Sequence, residues 1–161
     1  MQGSEFDERS FFRAIGASGA RVLLIGRRAL IALGIPVLTA DYDLWVHGDD
    51  IDRLNAALAP LDLFPNHDAK TARSRGRYVL ENDEHVDVLV ARAQSTRDGD
   101  VVTFDEVWGR RRVETYDEGT TIAVPCVEDL IRTKKWAMRQ KDIADIQLLE
   151  GLRGHEDDGS S

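Results

Sequence analysis

Apolar residues between positions 6 and 15 recur at near-helical spacing and run into the breaker "GASG", which predicts an N-terminal helix from Phe6 to Ile15. "RVLLIG" then reads as a short buried strand. "RRALIALG", with Gly34 and Pro36 beyond it, reads as a short helix stopped by glycine. In "TADYDLWV" the period changes to two, so Tyr42, Leu44 and Val46 fall on one face and Asp41, Asp43 and Trp45 on the other. The helical period returns in "GDDIDRLNAAL", where Ile51, Leu54 and Leu58 form a stripe, Asp49 or Asp50 supplies the cap, and Pro60 closes the helix.

The middle of the chain is built from extended runs. "RYVLENDEHVDVLVA" predicts a hairpin about an Asn-Asp turn, with His85, Asp87 and Leu89 on one face of its second strand and Val86, Val88 and Val90 on the other. "STRDGD" reads as a surface loop, and "VETYDEGTTIAVP" as a second hairpin turning at Glu118 and Gly119. The last third, "CVEDLIRTKKWAMRQKDIADIQLLEGL", is helical, in two helices broken near Lys141. Early alternation of strands and helices followed by hairpins predicts an α+β fold with a mixed β-sheet, flanking helices and a helical C-terminus. The length of 161 residues suits one domain, taken as residues 1–153, with the polar residues 154–161 as a disordered acidic tail.

Composition narrows the classes of function. A formal charge of −8 argues against an extended nucleic-acid surface, which needs clustered Lys and Arg, although "RSRGR" and "GRRR" leave room for a local basic groove. The apolar runs are too short to span a membrane, and the opening "MQGSEFDERSFF" carries acids where a secretory leader carries lysines. A cytoplasmic location is therefore expected. The single Cys126 can form no internal disulfide, and it reads as a small core residue rather than a nucleophile.

The chemistry rests on carboxylates. Asp41 and Asp43, two apart on a strand, are separated by roughly 6 to 7 Å along the backbone, close enough to reach a common point. Two ionised carboxylates about 4 Å apart repel by about 4 kcal/mol at an effective dielectric of ~20, and a divalent cation removes that penalty. Asp87, between valines, is hard to place as a surface residue and is the natural third ligand. Oxygen ligands of this kind suit Mg²⁺ or Mn²⁺. An Asp-x-Asp pair alone equally describes solvated acids at a strand end. The balance moves with Gly26, which stands between a strand and a helix N-terminus, where backbone N–H groups favour an anion. A plain turn glycine remains the alternative there.

Taken together, "LLIG", "RRALIALG", "TADYDLWV" and "HVDVLV" resemble the DNA polymerase beta-type nucleotidyltransferase superfamily, in the branch of small bacterial proteins that includes abortive-infection toxins and minimal nucleotidyltransferases. The stretch "VEDLIRTKKWAMRQKDIADIQLL" resembles that family's C-terminal pattern. The resemblance implies transfer of a nucleoside monophosphate from a nucleoside triphosphate such as ATP, with Mg²⁺ or Mn²⁺ on Asp41, Asp43 and Asp87. It implies a phosphate-binding group of Gly26, Arg27, Arg28, Thr39 and Lys134. Lys134 is equally readable as a solvated helix lysine. The acceptor is left open between a tRNA end, a protein hydroxyl and a small molecule. Arg27 departs from the family's small residue: its bulk obstructs the phosphates, or its guanidinium grips them. Obstruction motivates a second reading, an inactive nucleotide-binding relative acting through a partner protein, as in a toxin–antitoxin pair. Asp142 and Asp145 are expected to pair with Arg139 or Lys141 rather than bind metal.

Overall fold

A computed structural model describes residues 6–136 and 138–159. Helix α1 (Glu8–Ala17) starts where the Asp7 carboxylate accepts the Ser10 N–H. Strand β1 (Val22–Ile25) leads without a loop into α2 (Gly26–Ala32), and β2 (Tyr42–Val46) follows. Next come α3 (Ile51–Leu58), the two-residue β3 (Phe64–Pro65), α4 (Ala69–Arg75), β4 (Arg77–Glu81) and β5 (His85–Leu89). The chain continues through β6 (Ala93–Ser95), β7 (Val101–Thr103), α5 (Phe104–Gly109), β8 (Arg112–Asp117) and β9 (Thr120–Val124), and ends in α6 (Val127–Lys134) and α7 (Gln140–Gly159).

Among the described residues a five-stranded sheet has the order β1-β2-β5-β4-β3. The β2–β5 pair is parallel and the other neighbours are antiparallel, so the sheet is mixed as the sequence predicted. One face is the main core. Tyr42, Leu44, Val46, Val86, Val88 and Leu80 join Phe11 of α1 and the Ile51, Leu54 and Leu58 stripe of α3 in one apolar cluster. Full burial of such side chains contributes about 1.5–3 kcal/mol each.

The opposite face is divided, which is how it tolerates two aspartates beside Trp45. One half is roofed by a second cluster, in which Leu23, Ile25 and Trp45 pack with Val102, Phe104 and Val107. Trp45 is fully buried, meets Phe104 and Trp136 edge-on, and donates its indole N–H to the Ala91 carbonyl at 2.9 Å. The other half, with Asp43 and Asp87, is left open.

Several elements differ from the sequence reading for physical reasons. Asp50 stands at the N-cap position of α3 yet caps nothing, because its buried carboxylate takes the Arg21 backbone N–H at 2.8 Å and the Arg21 guanidinium at 2.7 and 3.1 Å. Those hydrogen bonds outweigh burial and hold its pKa down at about 2. "STRDGD" is the turn of the β6–β7 hairpin, where Thr96 and Asp100 are hydrogen-bonded to one another. Helices α4 and α5 were not anticipated, since each is too short to show a period. The break in the last third falls between the end of α6 at Lys134 and the start of α7 at Gln140, just before Lys141, and Met138 there has φ of 51°. Helix α7 is described as far as Gly159, and residues 160–161 of the expected tail lie outside the described residues. A helix anchored by packed residues such as Leu149 adds one hydrogen bond per further residue at little cost.

Candidate active site

The open half of the sheet is organised by strand register. In the parallel β2–β5 pair Asp43 lies directly beside Asp87, with Tyr42 beside Val86 and Leu44 beside Val88. Neighbouring strands run about 4.8 Å apart, so both carboxylates emerge on one face at short range. On the outer side of β2, Asp43 is opposite Ile25, the last residue of β1. The chain must turn out of β1 at that point without touching the Asp43 carboxylate. Gly26 makes this possible: its φ is +71°, and a Cβ there would sit 2.5 Å from Asp43 Oδ2. Gly26→Ala should therefore lose about 1–3 kcal/mol of stability in urea unfolding, from left-handed strain together with displacement of the carboxylate.

A cleft of about 840 Å³ opens over this row, and Gly26, Asp43, Asp87, Lys134, Arg139 and Arg77 are among its lining residues. Asp43 is half-buried, whereas Asp87 is exposed to the cleft. The valines beside Asp87 point into the main core, so its surface position needs no further account. Burial, followed by the charges of Asp87 and Asp41, raises the Asp43 pKa to about 6. Asp41 precedes β2, is exposed, and does not line the cleft. Among the described residues no three His, Cys, Asp or Glu side chains converge closely enough to hold a metal ion by themselves. What faces the cleft is thus a pair, Asp43 and Asp87, with Asp41 close enough to be felt electrostatically.

The predicted phosphate group divides. Gly26 and Lys134 border the cleft. Arg27 does not: its guanidinium donates to the fully buried Asp145 carboxylate at 3.0 and 3.2 Å and to the Leu38 carbonyl at 3.0 Å, and so neither blocks the cleft nor reaches into it. Arg28 donates to Glu8, to the Asp41 carbonyl and to the Thr39 carbonyl, and its guanidinium lies over the Tyr42 ring at 4.2 Å. The Thr39 hydroxyl accepts the Asp41 N–H. Arg28 and Thr39 thus brace the approach to β2 without lining the cleft.

Lys134 is buried, contrary to the solvated alternative, and its ammonium reaches Asp145 Oδ2 at 2.9 Å. Burial alone would raise the Asp145 carboxyl, but hydrogen bonds from Arg27 and Lys134 hold it below the usual carboxylate range. Asp142 pairs with Arg139 at 2.9 Å as expected, while Asp145 takes Arg27 and Lys134 in place of the partners expected from local spacing.

The arginine runs do not form one groove. Arg75 and Arg77 line the cleft, Arg110 is bound to Asp129, and Arg111 lies over the Trp108 ring at 3.9 Å. Sequence reasoning did not assign Arg139, Asn66 or His67 to a site, although all three line the cleft. Arg139 had a signal in its place within the C-terminal pattern, whereas Asn66 and His67 had none. Burial pushes the Cys126 thiol up, away from the thiolate a nucleophile requires.

Comparison with known proteins places the architecture. No protein-family model and no curated protein sequence matches the chain. Solved structures do match, two of them as follows. A "putative nucleotidyltransferase" from Thermotoga maritima matches with a TM-score of 0.57 at 12% identity, over 94% of this chain and 91% of that one. ANT(2″)-Ia, solved in complex with adenylyl-2″-tobramycin, matches with a TM-score of 0.65 at 17% identity, over 93% and 89% of the two chains. Among the described residues no helix is long and apolar enough to cross a membrane. The chain has the mixed α+β fold of these nucleotidyltransferases.

Proposed function

We propose that the protein is a metal-dependent nucleotidyltransferase, moving a nucleoside monophosphate from a nucleoside triphosphate to a hydroxyl acceptor with release of pyrophosphate. The observation that carries this reading is the register of Asp43 with Asp87, beside a glycine that leaves the carboxylate room, in a chain with this fold.

The residues fit a divalent cation. Mg²⁺ is usually held by one or two carboxylates, with water and substrate phosphate oxygens completing its shell, and Asp43 and Asp87 provide that number on an open face. Burial of Asp43 among like charges is relieved by a cation. Mg²⁺ or Mn²⁺ bound there would neutralise the triphosphate and the pyrophosphate leaving group. Gly26 admits the phosphates to the floor of the cleft, and Lys134, fixed by Asp145, faces them with a compact positive charge. Asp87, the more open of the two acids, is placed to take the proton from the attacking hydroxyl. Asp41, outside the lining, adds negative charge that acts on Asp43.

The reading as an inactive relative with a partner protein rested on obstruction by Arg27, whose guanidinium is engaged with Asp145 and Leu38 outside the cleft lining. No observation favours it. The test is to incubate the protein with each α-labelled nucleoside triphosphate, Mg²⁺ or Mn²⁺, and separated RNA, protein and small-molecule fractions of a lysate. Metal-dependent label in one fraction is expected, and absence of label from all three would defeat the proposal.

A further inference from the structure

We infer that the flank of the cleft beyond Asp87 receives an acceptor that carries phosphate next to its reacting hydroxyl, as the end of an RNA chain does. The inference rests on the transfer reading above and names the acceptor class for the same site. It starts from two cations the sheet has no use for. Arg75 ends α4 and Arg77 begins β4, on either side of Gly76, whose φ is +80°. Both are exposed, both line the cleft, and neither guanidinium has a hydrogen-bond or ion-pair partner among the described residues. Every other cleft cation of this kind is engaged: Arg139 with Asp142, and Lys134 with Asp145.

Position separates these arginines from the triphosphate side. Gly26 lies at the end of β1 and Arg77 in β4, three strands across in the order β1-β2-β5-β4. Three strand spacings amount to about 14 Å, so a phosphate held by Arg77 is not the one lying against Gly26. Asp43 and Asp87 fall between the two, and Val79, beside Asp87, continues the row toward Arg77.

Asn66 adds a donor to the lining. The Asn66 side-chain Oδ1 accepts the Val79 N–H at 2.8 Å, and the Asn66 backbone N–H donates to the Val79 carbonyl at 2.9 Å. The side chain is thereby held with its NH₂ group free among the described residues. His67 stands next to it in the lining, and Asp142, the third lining carboxylate among the described residues, is bound to Arg139. Two planar guanidiniums and an amide N–H₂ fit phosphate oxygens, and they would repel a polycation such as an aminoglycoside. With a formal charge of −8 over the chain, such a site attracts only an anion that enters the cleft itself.

In the step this implies, the acceptor hydroxyl oxygen forms a bond to the α-phosphorus of the triphosphate. The bond from that phosphorus to the oxygen of pyrophosphate breaks, pyrophosphate leaves with the bonding pair, and the hydroxyl proton passes to the Asp87 carboxylate. Arg75 and Arg77 hold the phosphate esterified to the same sugar that carries the attacking oxygen. They are positioning residues, since they touch no reacting atom.

The experiment measures binding of a short fluorescent single-stranded RNA to the full chain by anisotropy across a salt series, with Mg²⁺–triphosphate affinity measured separately by calorimetry. Arg75→Ala with Arg77→Ala should weaken RNA binding at least tenfold and flatten the plot of log K against log salt by about 1.4, the value for two lost contacts to a single strand. Should the double variant melt early, Arg75→Gln alone should give about half of that slope change. Free mononucleotide competing as well as RNA would support the site with a small phosphorylated acceptor as its source. No RNA or mononucleotide binding by the wild type, or binding indifferent to both arginines, overturns the inference while Mg²⁺–triphosphate binding leaves the transfer reading standing. A wild type that binds RNA but no Mg²⁺–triphosphate overturns both.

Discussion

Asp43→Asn should abolish nucleotidyl transfer and at the same time make the protein more stable. Burial and then the charges of Asp87 and Asp41 push this carboxyl up to about 6 in the folded chain, from about 3.8 when exposed. Between these values the folded state binds the proton more tightly, so the contribution of this group favours folding below about pH 4 and is lost as pH rises through about 6. Above that the ionised, half-buried side chain is a burden of about 1–3 kcal/mol, after allowance for partial exposure to water. The neutral, isosteric amide removes it. Urea unfolding at pH 7.5 should show the variant more stable by that amount, and at pH 4 the gain should vanish. Saturating Mg²⁺ should raise the wild type toward the variant and leave the variant unmoved. Transfer should fall on the order of 10³-fold or more, the scale on which such sites depend on placed charge. A variant with wild-type stability at pH 7.5 would mean that Asp43 ionises without strain and that the charge argument for a cation is mistaken.

Asp145→Ala should be the most damaging single change to the fold outside the apolar core. It strips the shared counterion from two buried or half-buried cations, Arg27 in α2 and Lys134 in α6, and disconnects both from α7. Breaking a buried pair on one side typically costs about 3–5 kcal/mol, a large part of the stability of a chain this size. Asp145→Asn keeps the shape and one acceptor oxygen and should cost less. If equilibrium unfolding shows Asp145→Ala to be as stable as the wild type, water or another carboxylate must replace its role.

The parts of the fold that could be read in advance are those whose signal is local. The 118–119 turn and its strands β8 and β9 follow from alternation and a glycine, and that glycine has φ of 84°. The stripe of Ile51, Leu54 and Leu58 and the inward valines of β5 follow from period alone. The catalytic proposal was legible only in part. Alternation puts Asp43 on the face away from Leu44, but its neighbour Asp87 comes from a parallel strand 44 positions on, a register set by packing of the whole sheet. The direction of Arg27 was not legible, because its partner lies 118 residues away and competes with any phosphate for the same guanidinium. Arg75 and Arg77 read as an ordinary charged run until the cleft gave them a common direction.

Under the proposed function, the grip of Asp145 on Lys134 has a consequence for the energetics of turnover. An ammonium has three N–H donors, and a single contact to Asp145 leaves two to spare. Its long stem is already immobilised during folding, so docking an anion demands little further loss of rotamer freedom and little rearrangement of surrounding dipoles. Much of the entropic penalty that a flexible surface lysine would incur at every catalytic cycle is incurred here once, when the chain is made.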